Sequence, residues 1–107
     1  YLASDPGPRQ RTPPAVRIPA GPAADIMAAH AGEFGYDPGR VRAPTLIVRG
    51  AWDRLCGDAD AAWLLSNLGS AEKADAVVPA ATHLMHLERG RERLFTATTD
   101  WLGKGTP

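Results

Sequence analysis

The hydrophobic positions of this chain fall into two kinds of run, one continuous and one periodic. Thr45, Leu46, Ile47 and Val48 form a continuous apolar stretch with a β-branched core, the pattern of a strand covered on both faces. Pro44 is tolerated at the start of a strand but not in its middle, and Gly50 permits a sharp exit. A buried strand is therefore predicted over 45–49, with Asp53 delivered at its carboxyl end. A second, shorter strand is predicted over 74–78, stopped by Pro79. Between them Ala61, Leu64, Leu65 and Leu68 recur at helical spacing. That helix starts at Gly57 or Asp58, with Asp60 near the positive end of its dipole, and Gly69 ends it. Leu94, Phe95, Thr98, Trp101 and Leu102 mark a last helix from near Arg91, with Gly103 as its stop.

Upstream, Ile26, Met27, His30 and Phe34 share one face of a helix that has Gly21 at its N-cap, Pro22 at its first position and Gly35 closing the far end. Tyr36-Asp37-Pro38-Gly39 reads as a turn. Pro6, Pro8, Pro13, Pro14, Pro19 and Pro22 exclude a long helix or an interior strand over residues 1–22. An extended connection is expected there, with Val16 and Ile18 as short apolar anchors.

Strands alternating with helices indicate parallel βαβ connections and an α/β fold. Two parallel strands make a poor sheet alone, because a parallel sheet needs cover on both faces. The first strand wants neighbours that this sequence does not contain. The expectation is the C-terminal part of a doubly wound, mostly parallel α/β sheet, incomplete on its own, with a connection and helix over 1–35 and core over 36–107. A start at Tyr1 in place of Met suggests that this is not a native translation start.

Composition narrows the partners. A hydrophobic content of 44% with formal charge zero argues against a disordered tail. Twelve basic residues balance twelve acidic ones without a basic run, so no nucleic-acid partner is expected. The single cysteine, Cys56, excludes an intramolecular disulfide and any CxxC motif. No apolar segment approaches the roughly 18 to 20 residues that span a bilayer, and no signal pattern opens the chain, so no membrane association and a cytoplasmic location are expected.

The candidate chemistry lies after the strands, because in open α/β sheets functional groups gather in the loops beyond the strand carboxyl ends. Asp53 follows the first strand and His83 the second, and adjacent strands lie roughly 4.8 Å apart. An acid and a histidine at one sheet edge form two-thirds of a nucleophilic triad. Taken alone, Asp53 reads as a turn or cap residue. His86 lies closer to the last helix and reads as structural. His83-x-x-His86 with Glu88 lacks an HExxH helix or supporting cysteines, so no metal is expected. Glu88 reads as a buttress of the histidine loop or the start of the last helix, Asp58 as a cap, and Cys56 as an inert apolar residue. Trp52 either shapes the site or fills core.

Two segments, Ala43-Pro44-Thr45-Leu46-Ile47-Val48-Arg49-Gly50-Ala51-Trp52-Asp53 and Pro79-Ala80-Ala81-Thr82-His83-Leu84-Met85-His86-Leu87-Glu88, carry a resemblance to the α/β-hydrolase fold over residues 36–102. Members of that family show an apolar strand, glycine, two residues and the triad acid, then a helix, a strand, a Gly-His-like turn, an acidic residue and a last helix. The resemblance implies that Asp53 is the triad acid and His83 the catalytic histidine. Thr82 departs from the glycine of many relatives, a change that bears on the turn. The family's nucleophile sits on an earlier G-x-S-x-G elbow, in the order nucleophile, acid, histidine. No such motif exists here, and Ser4, Ser66, Ser70 and Cys56 lack its framing. By the same resemblance an N-terminal portion of the same protein would carry the nucleophile and the oxyanion hole. Residues 1–35 would end a cap whose Met27, His30 and Phe34, with Trp52, contact a small-molecule substrate. Ester, thioester or amide hydrolysis without a cofactor is implied; the alternative is a catalytically inactive relative that binds a small molecule or a partner protein.

Overall fold

A computed structural model describes residues 5, 7, 9–15, 17 and 19–104. Val16, Ile18 and Ser4 lie outside them. The chain divides into two compact units, Tyr1–Tyr36 and Asp37–Pro107.

In the first unit the Asp5 carboxylate receives both Nη atoms of Arg11, at 2.6 and 2.8 Å, and the Arg17 N–H at 2.5 Å. The Arg11 bonds, followed by that of Arg17, hold its pKa down to about 2. Helix α1 follows over Gly21–His30, with Pro22 in its first turn. It stops earlier than the spacing predicts. Gly32, at φ +85°, takes the left-handed position that a Schellman motif needs. The N–H of Gly32 donates to the Ala29 carbonyl at 3.0 Å and that of Glu33 to the Ala28 carbonyl at 2.8 Å. Gly32, not Gly35, is therefore the stop signal. Phe34 lies past the helix, so the expected stripe of Ile26, Met27, His30 and Phe34 does not form on one helical face. No residue of α1 is buried.

The second unit is a two-stranded parallel sheet with helices, an α/β arrangement. Strand β1 is Thr45–Gly50 and β2 is Lys73–Val78, paired in the register Thr45↔Lys73 through Gly50↔Val78. Helix α2, Asp58–Asn67, connects them, and α3, Arg91–Gly103, follows β2. Side chains alternate between the two faces of a strand, so Arg49 and Val48 point oppositely. Arg49 binds Asp75 across the sheet at 2.9 and 3.1 Å and also Asp58 in the first turn of α2. Asp58 is thus an ion-pair partner and not the cap, which is Gly57. The hydrogen bond to Asp75 is the first cause of the raised Arg49 pKa. On the other face Val48, together with Leu94 of α3, packs against the buried cluster of Val78, Ala81 and Met85. Covering Val78 to 3% exposure contributes about 2 kcal/mol.

Helix α2 buries Ala61 and half-buries Leu64 and Leu65, as its spacing predicts, and Leu68 is buried just past its end. Helix α3 starts at Arg91 and ends at Gly103 as predicted, with Lys104 as its C-cap and the Lys104 ammonium 5.6 Å from the centre of the Trp101 ring. Its stripe is only partly covered: Leu94, Thr98 and Trp101 are half-buried, whereas Phe95 and Leu102 are exposed. The start of β1 is pinned by buried Ser70, whose hydroxyl meets the Ala43 carbonyl at 2.5 Å and the Thr45 hydroxyl at 3.0 Å. Asp37 caps a 3-10 turn over Pro38–Arg40 by accepting the Gly39 N–H at 2.8 Å. Among the described residues, no helix is long and apolar enough to cross a membrane.

Gly50 is the tightest point of the sheet edge. A Cβ there would overlap the carbonyls of Ala81 and Thr82. A Cβ at Gly90, before α3, would meet nothing. Gly50→Ala is expected to lower stability by about 1–3 kcal/mol, and Gly90→Ala to leave it unchanged or slightly higher. Thermal unfolding of the two variants checks this, and equal melting temperatures would refute the close-approach argument.

Candidate active site

The site is built where the two strands leave the sheet. Past Gly50, the Ala51 N–H donates to the Val78 carbonyl at 2.9 Å and the Trp52 N–H to the Ala81 carbonyl at 2.9 Å. These bonds extend the parallel ladder beyond the strands and tie one exit loop to the other. Ala80 adopts φ +53°, a conformation that costs a non-glycine residue energy and that turns the chain into the histidine loop. The two loops then leave the same edge side by side.

His83 Nδ1 lies 3.0 Å from Asp53 Oδ2. The Asp53 side chain is 3% exposed and that of His83 48%, so the carboxylate is enclosed while the imidazole stays open to solvent. Oδ1 of Asp53 accepts the N–H groups of Leu55 at 2.8 Å and Cys56 at 3.0 Å. Burial pushes the Asp53 pKa up, but the hydrogen bonds from Cys56, His83 and Leu55 outweigh it and the net shift is downward. Asp53 is therefore an ionised, fully partnered acceptor aimed at one imidazole nitrogen.

A second carboxylate supports the histidine loop. Glu88 accepts the Thr82 N–H at 3.2 Å and also the Thr82 hydroxyl, and that hydroxyl accepts the Leu84 N–H at 3.2 Å. Thr82 thus ties both sides of His83 to Glu88. Sequence reading put Glu88 beside this loop but missed Thr82 as its partner. It likewise missed the Leu55 and Cys56 amides. The signals were present: Asp and Thr side chains commonly bond N–H groups two or three residues on.

The other candidates are placed differently. Trp52 is 64% exposed on the loop after β1, so it does not fill core. His86 sits in a 3-10 turn over Met85–Leu87. Met27, His30 and Phe34 belong to the first unit: Met27 is 73% exposed, and His30 Nδ1 meets the Ile26 carbonyl at 2.8 Å. Phe34 lines a concavity there with Asp25, Ala28 and Glu33. Beside Asp53 and His83, a concavity of about 310 Å³ in the second unit is also lined by Cys56, Asp60 and Met85. Cys56 is exposed but partly desolvated on its loop side, and this desolvation, then the charges of Asp53 and Asp60, raise its pKa and keep it a thiol. Asp53, Cys56 and His83 each offer a ligand atom within 4.8 Å of the others, a set distinct from His83, His86 and Glu88.

Two outcomes follow from this geometry. Asp53 titrates below the ordinary aspartate value of about 3.9. Its contribution to stability is complete above that value and is lost as pH falls through the lower folded pKa. Carboxyl chemical shifts followed by NMR check this, and a midpoint above 3.9 would contradict it. Glu88→Ala is expected to cost about 1 kcal/mol and to speed amide hydrogen exchange at Thr82. Unchanged exchange at Thr82 would mean that Glu88 does not hold the loop.

No family model, curated protein or solved structure matches this chain, so the chemistry of the site is argued from its own geometry.

Proposed function

We propose that Asp53 and His83 are the acid and base of a nucleophile-His-Asp triad, and that this chain is the C-terminal portion of an α/β-hydrolase core. The reaction is hydrolysis of an ester, thioester or amide of a small molecule. The observation that carries this reading is the 3.0 Å pairing of His83 Nδ1 with an enclosed, ionised Asp53, while Nε2 has no hydrogen-bond partner among the described residues. In that geometry Asp53 fixes the tautomer with the proton on Nδ1 and stabilises the imidazolium as it forms. Nε2 takes the nucleophile's proton during attack and returns it to the leaving group when the tetrahedral intermediate collapses. No cofactor enters these steps.

The nucleophile and the oxyanion amides are assigned to a further segment of the same protein. Among the described residues neither serine is suited: Ser66 donates to the Ala62 carbonyl inside α2 at 2.7 Å, and Ser70 is buried at the opposite end of β1. Cys56 stays protonated. Trp52, Leu55, Leu84 and Leu87 are all exposed on the two loops that bear Asp53 and His83, apolar surface suited to cover by such a segment. The same lack of a nucleophile favours the second reading, an inactive relative that binds a small molecule or a partner.

Labelling of the full-length protein by a fluorophosphonate separates the two. A serine labelled in the wild type, and lost in His83→Gln, is expected for the hydrolase. Asp53→Asn is expected to lower turnover about 10³ to 10⁴-fold with little effect on the melting temperature. Activity within tenfold of wild type in Asp53→Asn would remove Asp53 from the triad, and absence of labelling would count for the inactive binder.

A further inference from the structure

We propose that Asp53, Cys56 and His83 also form a binding site for a thiophilic divalent cation of the zinc class. One carboxylate oxygen, one sulfur and one imidazole nitrogen lie within 4.8 Å of one another. Zinc bonds to these atom types at about 2.0 to 2.3 Å in a tetrahedron, which sets its ligand atoms roughly 3.3 to 3.6 Å apart. The Asp53 and His83 atoms already stand at 3.0 Å, so closure onto an ion needs shifts of about an ångström.

The local fold explains why the three converge. Asp53 Oδ1 accepts the N–H groups of Leu55 and Cys56, which curls the loop back and returns Cys56 toward the carboxylate that precedes it by three residues. The Trp52 bond to the Ala81 carbonyl brings the histidine loop alongside. Cys56 and His83 are exposed, and both line the concavity beside β1, so a solvated ion has a path in. The fourth position of the tetrahedron is then left for water.

Charge favours the same conclusion. Asp60 lines the same concavity as Asp53, Cys56 and His83 and adds a second carboxylate charge that attracts a cation. The donor set selects among cations. Sulfur and imidazole suit zinc, cobalt, nickel or copper, and a single carboxylate is too little for calcium or magnesium. Binding forms a metal–sulfur bond and releases the thiol proton to solvent, while neutral His83 contributes a ring lone pair. With either ring nitrogen on the metal, His83 retains no free lone pair for general-base chemistry. The cation and any triad chemistry are therefore mutually exclusive, but the site itself stands without the hydrolase reading.

The test uses the full chain, stripped of metal by a chelator and titrated with Co²⁺ and then with Zn²⁺. A thiolate-to-cobalt charge-transfer band with intense tetrahedral ligand-field bands is expected, displaced by Zn²⁺, with release of about one proton per ion. Cys56→Ser removes the charge-transfer band and the proton release and weakens Zn²⁺ binding at least about tenfold, as does His83→Gln for affinity. His86→Gln binds as wild type. Absence of the charge-transfer band, or unchanged affinity in Cys56→Ser, would overturn the proposal. Weakening in His86→Gln but not in His83→Gln would also overturn it, by moving the site to His86 and Glu88. If a variant loses its circular dichroism, the wild type still decides: Zn²⁺ is expected to protect Cys56 from iodoacetamide, and unprotected alkylation would refute coordination.

Discussion

The close approach of Gly50 to the Ala81–Thr82 backbone is the constraint on which the site depends. With no side chain at position 50, the loop leaving β2 lies directly against the end of β1, and the Trp52 N–H reaches the Ala81 carbonyl. A parallel pair normally diverges after its last ladder bond, because each strand turns toward its own crossover. Here the ladder continues into both exit loops. The separation between Asp53 and His83, thirty positions apart in sequence, is therefore set by backbone hydrogen bonds and does not rely on long flexible side chains.

Around that stitch the polar groups of each loop are satisfied locally. Asp53 takes two amides of its own loop on one oxygen and presents the other to His83. Thr82 and Glu88 perform the same service for the histidine loop. The enclosed carboxylate keeps its charge because three N–H donors replace the water it has lost. The same arrangement that orients an imidazole also gathers a thiol, an imidazole and a carboxylate, so the proposed triad and the proposed cation site rest on one loop pair.

The sheet itself carries less cover than its sequence calls for. Arg49 bridges one face to α2 through Asp58 and binds Asp75, and the other face rests on a small cluster around Val78. Ile47 and Val48 remain half-buried and Val77 is exposed. Apolar residues on both faces of a parallel strand belong to a covered sheet, and this is the physical content of the proposal that further polypeptide completes the core.

By itself the sequence determined the order of the elements, both strands to within a residue or so, the start of α3 and the apolar face of α2, because period and proline placement are local properties. It also singled out Asp53 and His83, since position just past a strand end is legible without coordinates. Where glycines competed, local reading failed. Gly32 and not Gly35 closes α1, because which glycine turns left-handed depends on the bonds its neighbours make. Phe34 left its expected helical face for the same reason. Only the tertiary structure decided that Thr82 is the link to Glu88, that Asp58 pairs with Arg49, and that Cys56 folds back beside the dyad. Thr82 meets Glu88, and Arg49 meets Asp58, through the path of the chain between them, and His83 reaches Asp53 and Cys56 because the register of β1 against β2 sets the two exit loops side by side, a property of paired strands that no single stretch of sequence contains.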